Sequence, residues 1–380
     1  FGLLAWVWGS RRGQRLGWDI DLSSTYGEDD GRVRVKRSAK GDLYNDTGAT
    51  PTEFHAGEFI STQWTSTLDL KREIAAGMAE PVTLAWGVEY RRETYELGAG
   101  DAASRYKAGS QSYPGFALTD AGAYARHNEA VYADVAVRPV QPLSLDLAGR
   151  YENFSDFGGT AVGKLTARYD LTPAFALRGT ASTGFRAPTL AEEYYSATNV
   201  QPNSAFVQLP PNAPAAKLIG IDPLKAEKST NFSIGFVAHP FQRAVLTADA
   251  YQISVRDRVV GSGTLYGTYA GVVRSQAVND AIIANGNVLE HVPFTGINVF
   301  SNGLDTRTRG LDIVLNFATA TGQDSGIDWT FAANFNQTRV THIRPTPIEL
   351  SASGQSLFDR VAISTLETAS PRWRLTGSAQ

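Results

Sequence analysis

Residues 16–26 read Leu16-Gly17-Trp18-Asp19-Ile20-Asp21-Leu22-Ser23-Ser24-Thr25-Tyr26. The even positions carry Leu16, Trp18, Ile20, Leu22, Ser24 and Tyr26; the odd ones carry Gly17, Asp19, Asp21, Ser23 and Thr25. Period two is the mark of a strand, because successive side chains leave the backbone on opposite faces. One face of this strand is apolar and ends in tyrosine, and the other is acidic and hydroxylated.

The pattern recurs along the chain. Val82, Leu84, Trp86, Val88 and Tyr90 alternate with Thr83, Ala85, Gly87, Glu89 and Arg91. Val131, Ala133, Val135 and Val137 oppose Tyr132, Asp134 and Arg138. Leu143, Leu145, Leu147 and Tyr151 oppose Ser144, Asp146, Arg150 and Glu152, and Leu165, Tyr169 and Leu171 oppose Lys164, Thr166, Arg168 and Asp170. Similar stripes run through Phe175–Ser182, Asn231–Phe236, Leu311–Phe317 and Ile327–Asn336. Strands of soluble proteins average about 5–6 residues, whereas these alternate for roughly 10–12, and about 9–11 tilted residues cross a bilayer. Tyr26, Tyr90, Tyr151, Tyr169 and Trp329 stand at stripe ends, where a membrane barrel places its aromatic girdles. The expected fold is therefore all-β, a transmembrane antiparallel up-and-down β-barrel. The competing reading is a large soluble sheet such as a propeller or sandwich, but no regular repeat period is found.

Composition agrees. The 380 residues include 36 Gly, 18 Phe, 15 Tyr and 7 Trp, a pairing that favours strands and turns over helices. The opening run of ten residues before Arg11 and Arg12 falls short of the roughly 18 apolar residues of a spanning helix. A net charge of -3 leaves no basic footprint for nucleic acid. Zero cysteines remove disulfides, thiolate metal sites and cysteine nucleophiles.

The connections alternate in length. Short turns are expected at residues 9–14, 75–81, 139–142, 172–173, 239–242 and 319–326, and long loops at 27–58, 98–122, 186–226, 261–305 and 342–370. Only 155–159 is short on the long-loop side. The short turns then belong to the periplasm and the long loops to the outside. About thirteen strands result, an odd and unclosed set, so the chain is expected to be a piece of a larger barrel, its whole length 1–380 one partial barrel domain.

Four stretches make the sequence recognisable. Gly184-Phe185-Arg186-Ala187-Pro188-Thr189-Leu190-Ala191-Glu192 resembles a barrel motif of TonB-dependent outer-membrane receptors, at the top of an upward strand that opens a long loop. Leu224-Lys225-Ala226-Glu227-Lys228-Ser229-Thr230-Asn231 is similar to a strand start of that family, with Ala226 where the family has proline. Thr306-Arg307-Thr308-Arg309-Gly310-Leu311-Asp312 and Trp86-Gly87-Val88-Glu89-Tyr90-Arg91 resemble two more of its strands, the first as a strand beginning. The resemblance implies about thirteen strands of a 22-stranded barrel, without the family's plug, TonB box and closing strands. It also implies an outer-membrane protein of a Gram-negative bacterium. Its partners would be membrane lipid, TonB through the plug, and a solute such as a siderophore chelate, a vitamin or an oligosaccharide. The expected state is a monomer that binds no nucleic acid. A passive porin-like barrel without energy coupling is the alternative function, and a soluble β-rich enzyme or carbohydrate module the third.

Candidate residues fall into three groups. In the motif Phe185, Arg186, Ala187, Pro188 and Leu190 read as structural: Pro188 pushes Ala187 into extended backbone and stops the ladder, and Arg186 is then free to pair with an acidic neighbour or with the loop backbone. Glu89, Arg91, Arg150, Glu152, Lys164, Arg168 and Arg178, with Asp19 and Asp21, are expected to line the lumen, as a self-paired hydrated wall or as a charge-selective path. Loop aromatics Tyr106, Tyr113, Phe116, Tyr194, Tyr195, Phe206, Tyr266 and Tyr269 are candidates for ligand capture, since aromatic faces stack on flat ligands and cations; packing on one another is the plainer reading. Catalysis finds no support, because His55, His127, His239, His291 and His342 are scattered and no hydrolase, metalloprotease or phosphate-binding motif occurs. The chain is read as neither an enzyme nor a holder of cofactor or metal. Glu192-Glu193 reads as a solvated pair, and Glu28-Asp29-Asp30-Gly31 is a loose Ca²⁺ candidate that lacks the alternating ligand spacing of an EF-hand loop.

Overall fold

Each apolar stripe becomes one stave of a meandering sheet. The computed structural model describes residues 2–380 except 108–112, 114, 202, 288, 290, 291, 323 and 324. Its strands are β1 (Gly2–Arg15), β2 (Trp18–Lys36), β3 (Glu53–Ile74), β4 (Val82–Ala99), β5 (Gly122–Val140), β6 (Leu143–Phe154), β7 (Gly158–Thr172), β8 (Phe175–Arg186), β9 (Ala197–Gln201), β10 (Ser204–Leu209), β11 (Glu227–Ala238), β12 (Ala244–Gly261), β13 (Leu265–Tyr269), β14 (Val272–Val273), β15 (Phe294–Ala320), β16 (Gly326–Ile343) and β17 (Trp373–Ala379). Five short helices stand between them: α1 (Gly41–Thr47), α2 (Leu190–Tyr194), α3 (Gln276–Ala284), α4 (Ile348–Ser351) and α5 (Arg360–Thr368).

Thirteen strands form the wall, each antiparallel to the next, in the order β1 to β8, then β11, β12, β15, β16 and β17. Among the described residues β1 pairs only with β2 and β17 only with β16. The registers put every apolar stripe on one face. Leu22 lies opposite Leu68, Leu68 opposite Val88, Val88 opposite Val131, and Leu147 opposite Leu165. These side chains meet no protein: Val88, Val131, Leu147, Leu165, Phe232 and Ile234 are all exposed. An apolar belt this wide exceeds what a soluble monomer leaves bare and matches a wall built to face lipid.

Aromatic residues bracket the belt. Trp18 and Trp86 meet edge to face at 6.4 Å near the short turns, while Trp64, Tyr90 and His127 form a chain at 5.8 and 6.2 Å toward the long loops. Eight residues separate Trp18 from Tyr26 on β2, about 26 Å of strand, or about 20 Å of depth at the usual tilt. That is close to the apolar height of a barrel.

Two expectations are corrected. Residues 9–14 are strand, and the first turn is Leu16-Gly17, whose φ of 54° and 78° suit a two-residue hairpin turn. Arg12 holds Asp21 at 2.7 Å and Gln14 holds Asp19 at 2.6 Å, so polar cross-strand pairs extend the ladder through a stretch that reads as a turn. The long loops are likewise shorter than expected, because ladders run on into water after the apolar stripe ends. β2 and β3 stay paired out to Lys36 and Glu53, and β15 starts at Phe294 rather than near Thr306. The stretch 306–312 is thus mid-strand.

What remains of three long loops folds into a cap. β10 runs parallel to the upper end of β15, which also takes β13, and β9 pairs on the far side of β10. On one face of this small sheet Val207, Leu209, Leu265, Ile297 and Val299 pack with Val278 and Ile282 of α3, Leu350 of α4 and Ile219 of the 3₁₀ turn Pro214–Ile219. These residues are inside, as in a soluble core.

Candidate functional site

The face opposite the belt is polar, and the structure places all nine wall residues chosen from the sequence on it, each beside a partner, Asp19 and Asp21 with Gln14 and Arg12. Glu89 accepts from Arg91 at 2.6 Å and from Arg150 at 3.3 Å; Arg150 also bonds Glu152 at 2.6 Å. Lys164 pairs with Asp146 at 2.8 Å, Arg168 with Asp170 at 2.9 Å, and Arg178 forks onto Asp249. Each pair joins the same strand or a neighbouring stretch of the polar face, because alternation places i and i+2 on one side. The result is a polar lining of both signs whose charges are largely compensated.

Above it sits the motif of residues 184–192. β8 ends at Arg186, and buried Pro188 offers its carbonyl to Nη1 of Arg126 at 2.5 Å. Thr189 caps α2: its Oγ1 accepts from the Glu192 amide at 3.1 Å while Glu192 Oε2 accepts from the Thr189 amide at 2.8 Å, a reciprocal capping box. Arg186 pairs with Glu192 at 2.8 Å and with Glu227, the first residue of β11, at 2.7 Å. Burial pushes the Glu192 carboxyl up, but Arg186 and the Thr189 amide outweigh it and hold the group below its usual range. Phe185 meets Phe154 edge to face at 5.9 Å, and Leu190 is buried. Ala187 is the one-residue link from strand to proline.

Between residues 189–191 and the wall lies a cavity of about 490 Å³, bordered by Gln63, Glu93, Tyr95 and Arg126. Arg126 is its hub. The side chain is 6% exposed, bonds Glu93 at 2.6 Å, approaches Asp156 at 3.5 Å and lies over the Phe154 ring at 5.5 Å. A fixed guanidinium beside carboxylates, amide and aromatic edges can position a polar solute through several hydrogen bonds.

The loop aromatics divide into two sets and one separate residue. Tyr113, Phe116, Tyr194 and Tyr195 converge with Phe59, Tyr95 and Tyr124: Phe116 meets Phe59 at 5.0 Å, and Tyr194 stacks on Tyr124 at 3.9 Å. Phe116 is 1% exposed, so its ring is wholly occupied by this packing. Burial, the largest influence, pushes the Tyr113 hydroxyl up to about 12. Phe206, Tyr266 and Tyr269 form a second group with Phe294, at centroid distances of 6.1, 5.0 and 5.3 Å, on the face of the small sheet away from the cap core, and Arg274 lies 6.0 Å over Tyr269. Tyr106 stands apart from both sets and donates to Asp46 at 2.8 Å.

Sequence reasoning missed three residues. Arg126 is one more charge in an alternating stripe, and nothing local marks it as a hub. Asp120 is buried and ties the β4–β5 loop to β9 through Ser196 Oγ at 2.6 Å and the Thr198 amide at 3.0 Å. Glu193 is not solvated as its pairing with Glu192 suggests: it is 1% exposed, its Oε2 has no hydrogen-bond partner, and burial followed by the nearby Asp156 charge pushes it up to about 7. Glu28, Asp29 and Asp30 lie in β2, where alternation sends them to opposite faces. Among the described residues no cluster of acids and histidines could hold a metal ion, and His291 lies outside those residues.

A family model described as TonB dependent receptor-like, beta-barrel matches residues 4–379. Among solved structures the chain is similar to the siderophore receptor PirA of Acinetobacter baumannii, at 15% identity and a TM-score of 0.57 over 86% of this chain and 43% of that one. It is similar to a variant of the ferric enterobactin receptor PfeA of Pseudomonas aeruginosa in complex with enterobactin, at 15% identity and a TM-score of 0.61 over 97% and 46%. It also resembles the outer membrane transporter YddB of Escherichia coli, at 10% identity and a TM-score of 0.56 over 89% and 42%. The chain thus spans less than half the length of these structures. No curated protein matches it.

Proposed function

Because the chain belongs to the TonB-dependent receptor-like β-barrel family, we propose that it is part of the wall and outer loops of an outer-membrane receptor of a Gram-negative bacterium. In this reading the receptor imports a scarce solute of the ferric-siderophore class with energy delivered through TonB, and it carries no enzymatic activity. The observation that supports it best is the two-faced wall under a family match of nearly full length. A belt of Leu147, Leu165, Phe232 and Ile234 faces outward, and a compensated polar lining carries the Arg126 cavity at its loop end. PirA and PfeA, both siderophore receptors, share the fold at low identity, which is why the solute class is offered as a proposal.

Each part of the site has a role in this reading. The cavity at Arg126 and the aromatic face of Phe206, Tyr266 and Tyr269 are surfaces where a flat, anionic chelate would rest, through charge-assisted hydrogen bonds and stacking. The capping box and the Arg186 pairs keep the 184–192 segment over the cavity. The paired polar lining offers a passing solute a wetted surface with few strong traps.

The test is uptake of radiolabelled iron by cells carrying the full-length receptor, over a panel of ferric siderophores, with and without a functional TonB. Saturable uptake of one chelate that disappears without TonB is expected. Uptake that persists without TonB would instead support a passive pore, and failure of every chelate would overturn the solute class.

A further inference from the structure

The outward face changes character above the apolar belt. In the sector of β11, β12, β15 and β16, the positions just toward the long loops are Lys228, Arg256, Arg309, Arg307 and Arg339. The ladders bring them together: Lys228 lies opposite Arg256, and Arg307 opposite Arg339. Arg309, one outward step below Arg307, bonds Gln252 at 2.7 Å. Lys228, Arg256, Arg309 and Arg339 are exposed and Arg307 half-buried.

No ion pair is found for any of the five among the described residues, whereas Arg91, Arg126, Arg150, Arg168 and Arg178 of the polar face each have a carboxylate partner. Nearby acids are engaged elsewhere: Asp257 by Arg344, Asp305 by the Asp257 amide and Glu367 by the Val340 amide. Five cations on adjacent strands about 4.8 Å apart repel one another, and an anion among them would relieve that repulsion. At comparable height the β2–β5 sector sets Arg32, Arg34 and Arg92 among Glu28, Asp30, Glu58, Glu96 and Glu129, and Arg32 pairs with Asp30 at 2.9 Å, so positive charge without acids interleaved is concentrated on β11, β12, β15 and β16.

Directly below the cations the same face is apolar. Phe232 is opposite Gln252, and Leu311, one outward step below Arg309, is opposite Phe335. A charged patch stacked on a greasy one has the outline of a lipid with an anionic head and alkyl tails. We propose that the outward surface of β11, β12, β15 and β16 binds the phosphate-bearing head group of a membrane lipid in the leaflet at the long-loop end, with the acyl chains along Phe232, Leu311 and Phe335. This rests on the membrane-spanning reading of the wall and is independent of the imported solute.

The experiment is native mass spectrometry of the full-length protein in detergent, titrated with dioleoyl phosphatidic acid or dioleoyl phosphatidylcholine. Three proteins are compared with the unaltered one: Arg307→Gln/Arg309→Gln/Arg339→Gln, the corresponding triple Arg→Lys variant, and Arg32→Gln/Arg34→Gln/Arg92→Gln, which removes equal charge from β2 and β4. Retention of phosphatidic acid should fall at least about tenfold in the first, stay near the unaltered level in the other two, and weaken with added salt. Phosphatidylcholine retention should not distinguish the proteins. Equal phosphatidic acid retention by the first variant and the unaltered protein would overturn the proposal, as would an equal loss in the β2–β4 variant. If the unaltered protein retained neither lipid and left membranes in alkaline carbonate, the membrane-spanning reading itself would fall.

Discussion

Leu147 of the wall and Ile282 of the cap are aliphatic side chains of nearly the same size. One is 59% exposed and the other not at all. Along the apolar belt the wall turns its apolar residues outward and its charges inward, and the cap does the reverse. Both obey the same rule, that apolar surface leaves water; the difference is that lipid serves the wall as the partner which the cap must supply from its own helices and strands. A single chain therefore holds two kinds of core, and substitutions should tell them apart.

The largest effect is expected from placing a charge in the cap. Ile282→Arg buries an unpaired guanidinium between α3 and the small sheet, a cost on the order of 5 kcal/mol or more. The cap should lose its fold while the wall keeps its own. Proteolysis of intact cells would read this as rapid cleavage within 262–305 with the heat-resistant barrel band retained on gels. Loss of the barrel band as well would mean that cap and wall are one folding unit.

Arg126→Ala strikes the joint between the two regions. It strands Glu93 and Asp156 and frees the Pro188 carbonyl, and breaking such a buried set typically costs about 3–5 kcal/mol. Hydrogen exchange across 186–195 should accelerate strongly, with the β5–β7 ladders unchanged. Next comes Leu147→Arg in the wall. At mid-membrane its cost is about 2–4 kcal/mol, whereas Ala148→Arg, one residue along on the polar face, should assemble almost normally. Equal yields of assembled protein for the two would contradict the assigned faces.

The contrast also explains how much could be read from the sequence. The wall was legible because its two solvents stamp period two onto every stave from Leu16 to Tyr26 through Ile327 to Asn336, and because the motif 184–192 sits at a strand top. Thirteen staves follow from that signal alone. The cap was not legible. β10, β13 and the upper half of β15 are held by contacts between loops far apart in sequence, such as Val207 with Ile297. β10 and β13 alternate over only six and five residues, and the upper half of β15 buries polar Thr295 and Asn302 beside apolar Ile297 and Val299, so no long alternation marks the cap. Of the residues proposed for the site, the wall charges and the strand-top arginine could be located by face and motif. Arg126, Asp120 and Glu193 could not, since their importance arises from burial among segments that only the folded chain brings together.

Glu193 sharpens the comparison where the effect is smallest. The carboxylates of the polar lining have cations beside them at the surface, whereas Glu193 at the cap's edge is buried and its Oε2 has no hydrogen-bond partner. Burial comes first among its influences, Asp156 and Glu192 add to it, and Arg126 and Asn212 oppose it; the outcome is a carboxyl pushed from 4.5 up to about 7. Below about 4.5 the group is protonated whether the segment is folded or open, so it contributes no pH dependence there. Between 4.5 and 7 the folded segment keeps the proton that the open one releases, so stability falls as pH rises. Above about 7 the full penalty is present, at most about 3 kcal/mol. Segment 189–195 should therefore open more readily at pH 8 than at pH 5, and Glu193→Gln, a neutral side chain of the same shape, should flatten that dependence. Hydrogen exchange on this segment across the range, corrected for the intrinsic pH dependence of exchange, is the measurement. A slope that survives in Glu193→Gln would assign the pH response to another group and would leave the cap's edge as fully compensated as the wall.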